Sequence, residues 1–261
     1  MSFFLFAVAL LASTVGAVVG AGGGVIIKPV LDLVGVLPVS TVSFCSGCTA
    51  LGMALFSLIY NRKNGVKLHL KTSTLLALGA VCGGLAGKSL FELVRKGGNE
   101  FVLGAVQAVC LTVITFGVFL YVCNKSKLPS RHVTNPVGII VIGICLGVIS
   151  SFLGIGGGTS NIAVLFFFFS MDAKEAAKNS LYIIIFSQLS SIISAFATAS
   201  VPVFQWCDLV FMVCGGIAGA VLGGTISKKI NNADVERILK ILLLLITAID
   251  FYNVLKFACF S

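Results

Sequence analysis

Long apolar stretches alternate with short polar ones along this chain. The apolar segments run over 3–20, 25–36, 41–60, 72–93, 101–123, 137–153, 159–170, 179–200, 207–227 and 238–257. A helix needs about 20 apolar residues to cross a bilayer. Segments 25–36 and 159–170 fall short and predict half-helices; the others predict spans. Each short segment is hinged to its predecessor by a triple glycine, in Gly20-Ala-Gly-Gly-Gly-Val25 and Gly154-Ile-Gly-Gly-Gly-Thr159. Three glycines break a helix and expose backbone, which lipid does not tolerate unless the break lines a cavity or packs in protein. Matching breaks in two halves point to the binding site of a transporter.

The two halves repeat beyond the glycines. At an offset of 134 residues Val42 aligns with Ala176, Cys45 with Asn179 and Ser46 with Ser180. Gly79, Gly83 and Gly87 match Gly215, Gly219 and Gly223, and Ile114-Thr115 matches Ile246-Thr247. Residues 1–123 and 137–261 are read as two transmembrane repeats, joined by a polar linker over 124–136 that holds Pro129 and Pro136. Glycines spaced by four lie on one helix face and predict close helix seams.

Composition agrees with a membrane protein: 58% of the 261 residues are hydrophobic and 10% charged, where soluble domains carry about 25% charged residues. The net charge of +9 sits between the apolar stretches. It therefore speaks for orientation, and nucleic acid is not an expected partner. Most of the nine cysteines fall inside predicted spans, so no disulfide framework follows. The start, Met1-Ser-Phe-Phe-Leu, lacks the basic region of a cleaved signal.

Charge also chooses between two architectures. If each broken pair were one span, the loop Lys and Arg would split eight against eight. If each is a hairpin, Arg62, Lys63, Lys67, Lys71, Lys125, Lys127, Arg131, Lys174, Lys178, Lys228, Lys229, Arg237 and Lys240 share one side. Arg95, Lys96 and Lys256 take the other. The positive-inside rule prefers the hairpins. The expected fold is an all-α polytopic membrane protein of two inverted repeats, each a glycine-broken hairpin plus three transmembrane helices. Both termini would face outward.

The candidate chemistry gathers at the breaks. Gly22, Gly23 and Gly24 open one half-helix and Gly156, Gly157 and Gly158 the other. Free N–H groups at a helix start make an anion site. Thr159, Ser160 and Asn161 add side-chain donors, or simply cap the helix. Cys45, Ser46, Asn179 and Ser180 are expected to form the second wall, with interhelix hydrogen bonding as the plain alternative. Cys45-Ser-Gly-Cys48 has redox or metal-ligand spacing, but no second Cys or His cluster accompanies it. No metal or cofactor is therefore expected. Lys28 and Asp32, at i and i+4, are expected to neutralise each other near the outer interface. Asp250 stands alone in the last span and could take a proton in coupling. Gln107 and Gln188 are candidates for helix-to-helix bonds.

These residues resemble a known family. The pattern Gly16-x3-Gly20-x-Gly22-Gly-Gly24-x4-Pro29, the following Leu37-Pro38, and the second-half copy through Ala176-x3-Ser180 are similar to the sulfite exporter TauE/SafE family. The resemblance covers nearly the whole chain. It implies a cell-membrane transporter of a small anion, sulfur-containing or organic: sulfite, a sulfonate, sulfoacetate or thiosulfate. This chain departs from the pattern at Ala163, which stands where Pro29 would recur. Coupling to protons or sodium follows from class, and oligomeric state is not legible. A channel-like anion pore built on the same glycines, or a membrane thiol redox protein using Cys45 and Cys48, are the alternatives. No Ser/His or paired-Asp constellation suggests a hydrolase within the spans.

Overall fold

The computed structural model of the protein describes residues 1–62, 64–97, 100–127 and 131–259. Lys63 and Pro129 lie outside them. Among the described residues the chain is helical throughout: α1 Ser2–Val19, α2 Gly24–Val34, α3 Val39–Tyr60, α4 Leu70–Gly97, α5 Glu100–Asn124, α6 Pro136–Leu153, α7 Gly158–Phe169, α8 Ala173–Ala197, α9 Trp206–Lys229 and α10 Asn232–Cys259. Eight of these are long and apolar enough to cross a membrane. The other two, α2 and α7, have 11 and 12 residues. At about 1.5 Å per residue each covers little more than half of a ~30 Å hydrocarbon core.

Helices α8 and α10 start six residues before the apolar segments at 179 and 238 that predict them. Caps, not hydropathy, set those starts. The Asp172 carboxylate accepts from Glu175 N at 3.0 Å. Asn231 and Asp234 bond each other's backbone N–H reciprocally, at 2.9 and 3.1 Å. Both arrangements satisfy amides that a helix start leaves orphaned.

Each broken pair doubles back. Gly20 ends α1 at φ 75° and Gly154 ends α6 at φ 65°, left-handed conformations that glycine adopts without strain. From the break, α2 returns to the face where α10 ends, and Lys256 Nζ donates to the carbonyls of Asp32 and Leu33, both at 2.9 Å. Helix α7 returns to the opposite face, where Arg131 N and Val133 N donate to Phe167 O and Phe168 O at 2.7 and 3.0 Å.

The glycine series form the expected seams. A Cβ on Gly79, Gly83 or Gly87 of α4 would strike the α6 backbone at Ile140, Ile144 or Val148. One on Gly215, Gly219 or Gly223 of α9 would strike α1 at Phe6, Leu10 or Thr14. Paired positions rise together in both seams, so the partners run in the same direction. Each seam joins a helix of one half to the broken hairpin of the other. The core is shared between halves in the same way: Val18, Val25, Leu76, Leu111, Leu153, Leu165, Ile183 and Leu243 belong to one buried cluster. Thr115 and Thr247, matched across the repeat, hydrogen-bond to each other at 3.2 Å.

Candidate functional site

The two breaks meet inside the bundle. A Cβ on Gly24 would lie 2.7 Å from Ile155 O, and one on Gly158 would overlap the Ala21 carbonyl. Ala21 and Ile155 are equivalent positions of the two halves, so each tip rests its first half-helix residue on the other's backbone. Helix α8 supplies Ile184 between them. Ile184 Cδ1 is 3.2 Å from a Cβ at Gly22, and its Cγ2 3.6 Å from one at Gly156.

Two serines hold the tips in place. Ser46 Oγ, on α3, donates to Gly154 O at 2.7 Å. Ser180 Oγ, on α8, donates to Gly20 O at 2.8 Å. Each serine belongs to one half and satisfies the end of the other half's long helix. Both are fully buried. Removing either hydroxyl leaves a buried carbonyl without a partner, a cost of about 1–3 kcal/mol.

The second break carries the polar side chains. Thr159, Ser160 and Asn161 are buried, and Thr159 Oγ1, Ser160 Oγ, Asn161 Oδ1 and Asn161 Nδ2 have no partner among the described residues. Buried polar groups are ordinarily bonded. These four atoms are therefore available to a ligand at the start of α7. The first break offers Val25, Ile26 and Ile27 instead.

Two of the residues expected at the second wall are occupied elsewhere. Asn179 Oδ1 accepts from Ser73 Oγ at 2.5 Å and from His69 N at 2.9 Å, and its Nδ2 donates to Glu175 O at 2.7 Å. It ties α8 to the start of α4. Cys45 packs among Leu5, Ile27, Leu31, Val42 and Met212. Apolar side chains surround that thiol, which is a poor setting for the redox alternative. The expected helix-to-helix bonds are present: Gln107 Nε2 donates to Phe152 O at 2.6 Å and Gln188 Nε2 to Ser150 Oγ at 3.1 Å.

A cavity leads toward the breaks from each face. The first, about 30 Å³, runs from Pro202 and Arg95 past Lys88, Ser43 and Ser191 to Gly154. The second, about 20 Å³, runs from Asn64 and Lys174 past Lys178, Ser57 and Leu58 to Ala17 and Ala177, the residue whose backbone touches Gly20. Ser43, Ser191 and Gly154 of the first correspond at the repeat offset to Ala177, Ser57 and Gly20 around the second. Each cavity has room for one or two waters. The first continues into a wider vestibule of about 430 Å³ that shares Lys88 and Arg95 and adds Lys96. Lys88 pairs with Glu92 at 2.9 Å, and Arg95 reaches the same carboxylate at 3.5 Å. Three cations against one carboxylate leave this mouth positive, and Lys174 and Lys178 do the same for the other.

Hydropathy does not mark the cations of this lining: Lys88 falls inside the apolar segment 72–93 and Arg95 just beyond it. Spacing carried a usable signal: Lys88 and Arg95 are seven apart on α4, and Ser180, Ser187 and Ser191 follow one stripe of α8.

The Lys28–Asp32 pair forms as expected, at 2.9 Å, with Lys28 fully buried and Asp32 in the wall of an open cavity. Asp250 is not alone. Lys28 and Asp32 are its charged neighbours and Thr115 a polar one. The pairing is invisible in sequence because more than 200 positions separate Lys28 and Asp32 from Asp250.

A family model described as Sulfite exporter TauE/SafE matches residues 5–249. The chain is similar to a probable membrane transporter protein, YunE, of Bacillus subtilis (strain 168), at 24% identity over 94% of this chain and 96% of that protein. No solved structure matches.

Proposed function

We propose that this chain, which belongs to the sulfite exporter TauE/SafE family and is thus a multi-pass membrane transporter rather than an enzyme, moves a small anion by alternating access around its two glycine breaks. The anion is sulfur-containing, of the sulfite, thiosulfate or sulfonate class.

The observation that carries this reading is the pair of cavities. They approach the touching tips from opposite faces and are lined by equivalent residues of the two halves. Equivalent surroundings on opposite faces are what an inverted repeat gives. The Thr115–Thr247 bond supports the same symmetry, since matched residues meet on a two-fold axis. Both mouths are cationic, which draws anions in. Neither cavity admits more than water, so transport requires the helices lining one mouth to part while the other stays closed. At the tips, half-helix N-termini and the free Thr159, Ser160 and Asn161 groups receive the anion without a buried cation. That suits a ligand that must bind and then leave.

The face bearing Arg62, Lys174, Lys178, Lys228 and Lys229 is cytoplasmic in this reading. The Pro202 loop then faces outward. In intact cells a membrane-impermeant reagent should label a cysteine placed at Pro202 and not one at Lys228; the reverse pattern overturns the orientation.

Transport itself is tested with purified protein and a panel of sulfite, thiosulfate, sulfoacetate and simple carboxylates. The fitting anion should raise the melting temperature and show saturable counterflow in proteoliposomes. Gly157→Val should lose both, because Gly157 has φ 68° and a Cβ there lies 2.7 Å from Ser150 Cβ. Counterflow of none of these anions by the wild type, or unchanged binding in Gly157→Val and Ser180→Ala, refutes the site.

A further inference from the structure

We infer that Asp250, with Lys28 and Asp32, forms a proton-binding site that sets the position of α2. The inference rests on the transporter reading and adds the coupling ion to it.

Asp250 is 1% exposed, and neither carboxylate oxygen has a hydrogen-bond partner among the described residues. One turn on, Asn253 donates to Pro29 O of α2 at 3.0 Å, leaving its own Oδ1 buried and unpartnered. Among the described residues the charged groups facing Asp250 are Lys28 and Asp32 from α2. From α5 it faces the Thr115 hydroxyl, whose proton goes to Leu111 O at 2.7 Å rather than to the carboxylate. Further along α10, Lys256 binds the α2 carbonyls of Asp32 and Leu33. Lys28 gives its ion pair to Asp32, and Asp250 has none among the described residues. In a membrane interior a charge there is expensive. Taking one proton from solvent converts the Asp250 carboxylate to the neutral acid and removes that charge; releasing it restores the charge.

A proton fits better than sodium. A metal ion would need several oxygens and would lie beside the Lys28 ammonium. A proton needs only the carboxylate.

The site has its own approach. A cavity of about 260 Å³ lies between α2, α5 and α10, with Asp32, Gly35, Leu37, Phe101 and Lys256 in its wall. It is separate from the cavity that leads to Gly154 and lies on the same face. Asp32 thus stands between solvent and Asp250. Lys28 and Asp32 are carried by the helix that begins at Gly24, whose backbone rests on Ile155. A change of charge at α10 is therefore transmitted by a short stiff helix to the break that receives the anion.

Dicyclohexylcarbodiimide, which modifies protonated carboxyls in apolar surroundings, tests the site in the wild-type protein. Mass spectrometry should find the label on Asp250, falling several-fold from acid to alkaline pH. In proteoliposomes, Asp250→Asn should lower the ratio of pH-gradient-driven sulfite accumulation to sulfite counterflow several-fold. No label on Asp250, a label that ignores pH, a label suppressed by sodium at constant pH, or a wild-type ratio in Asp250→Asn overturns the proposal. If Asp250 labels as expected but the wild type exchanges none of the anions, the transport reading falls and the proton site stands.

Discussion

Gly158→Ala is expected to be among the most damaging single substitutions in this protein. Its new Cβ would overlap the carbonyl of Ala21, which is backbone and has no rotamer to yield. The strain falls where two half-helices begin, so relief means pulling the tips apart. Overpacking typically costs about 1–3 kcal/mol, and more where backbone must shift. We expect a melting temperature in detergent several degrees below wild type and no counterflow of any anion. Gly24→Ala is the matched variant, with its Cβ 2.7 Å from Ile155 O, and should be milder. Gly117→Ala is the control. It lies within α5 with nothing within 4 Å of the added atom, and alanine favours a helix by up to about 1 kcal/mol over glycine. Wild-type melting and exchange by Gly158→Ala would show that the tips are not in contact.

Lys28→Met should have a comparable effect for a different reason. Lys28 is among the largest fully buried side chains of the described residues, and its ammonium pairs with Asp32 at 2.9 Å and faces Asp250. Methionine keeps much of the volume and removes the charge, leaving two carboxylates facing each other. Breaking a buried ion pair by deleting one partner costs about 3–5 kcal/mol. The double variant Lys28→Met/Asp32→Leu should recover a large part of that loss, since it removes one carboxylate and leaves Asp250 able to take a proton. Thermal or denaturant unfolding of the wild type, both single variants and the double variant gives the coupling directly. A double variant no more stable than Lys28→Met alone would mean that the charges are not what the cluster balances.

The legibility of this protein divides along physical lines. Its helices were visible because membrane length and apolar composition are local properties. Half-helices α2 and α7 were visible for the same reason, as runs too short to cross and opened by glycines. The seam glycines announced that backbones come close, since a four-residue spacing is a property of one helix face. Ser46 and Ser180 were visible as a repeated pair, and the structure puts both on the breaks. Asn179 occupied an equivalent-looking position and is spent instead on Ser73 and His69. Nothing in its spacing separates the two cases: which neighbour an amide finds depends on the loop packed above it.

By itself, then, the sequence determined an all-helical membrane chain, two glycine breaks, their repeat and the faces that pack tightly. Each of these follows from hydropathy, helix period and the missing Cβ of glycine, all short-range. Tertiary structure alone decided that α4 of one half seats the hairpin of the other, that Ser46 and Ser180 cross over to hold each other's breaks, and that Asp250 lies beside Lys28. Those pairings join residues dozens to hundreds of positions apart. They arise from helices of both halves competing to bury the same apolar and glycine faces, and no local pattern encodes which competitor wins.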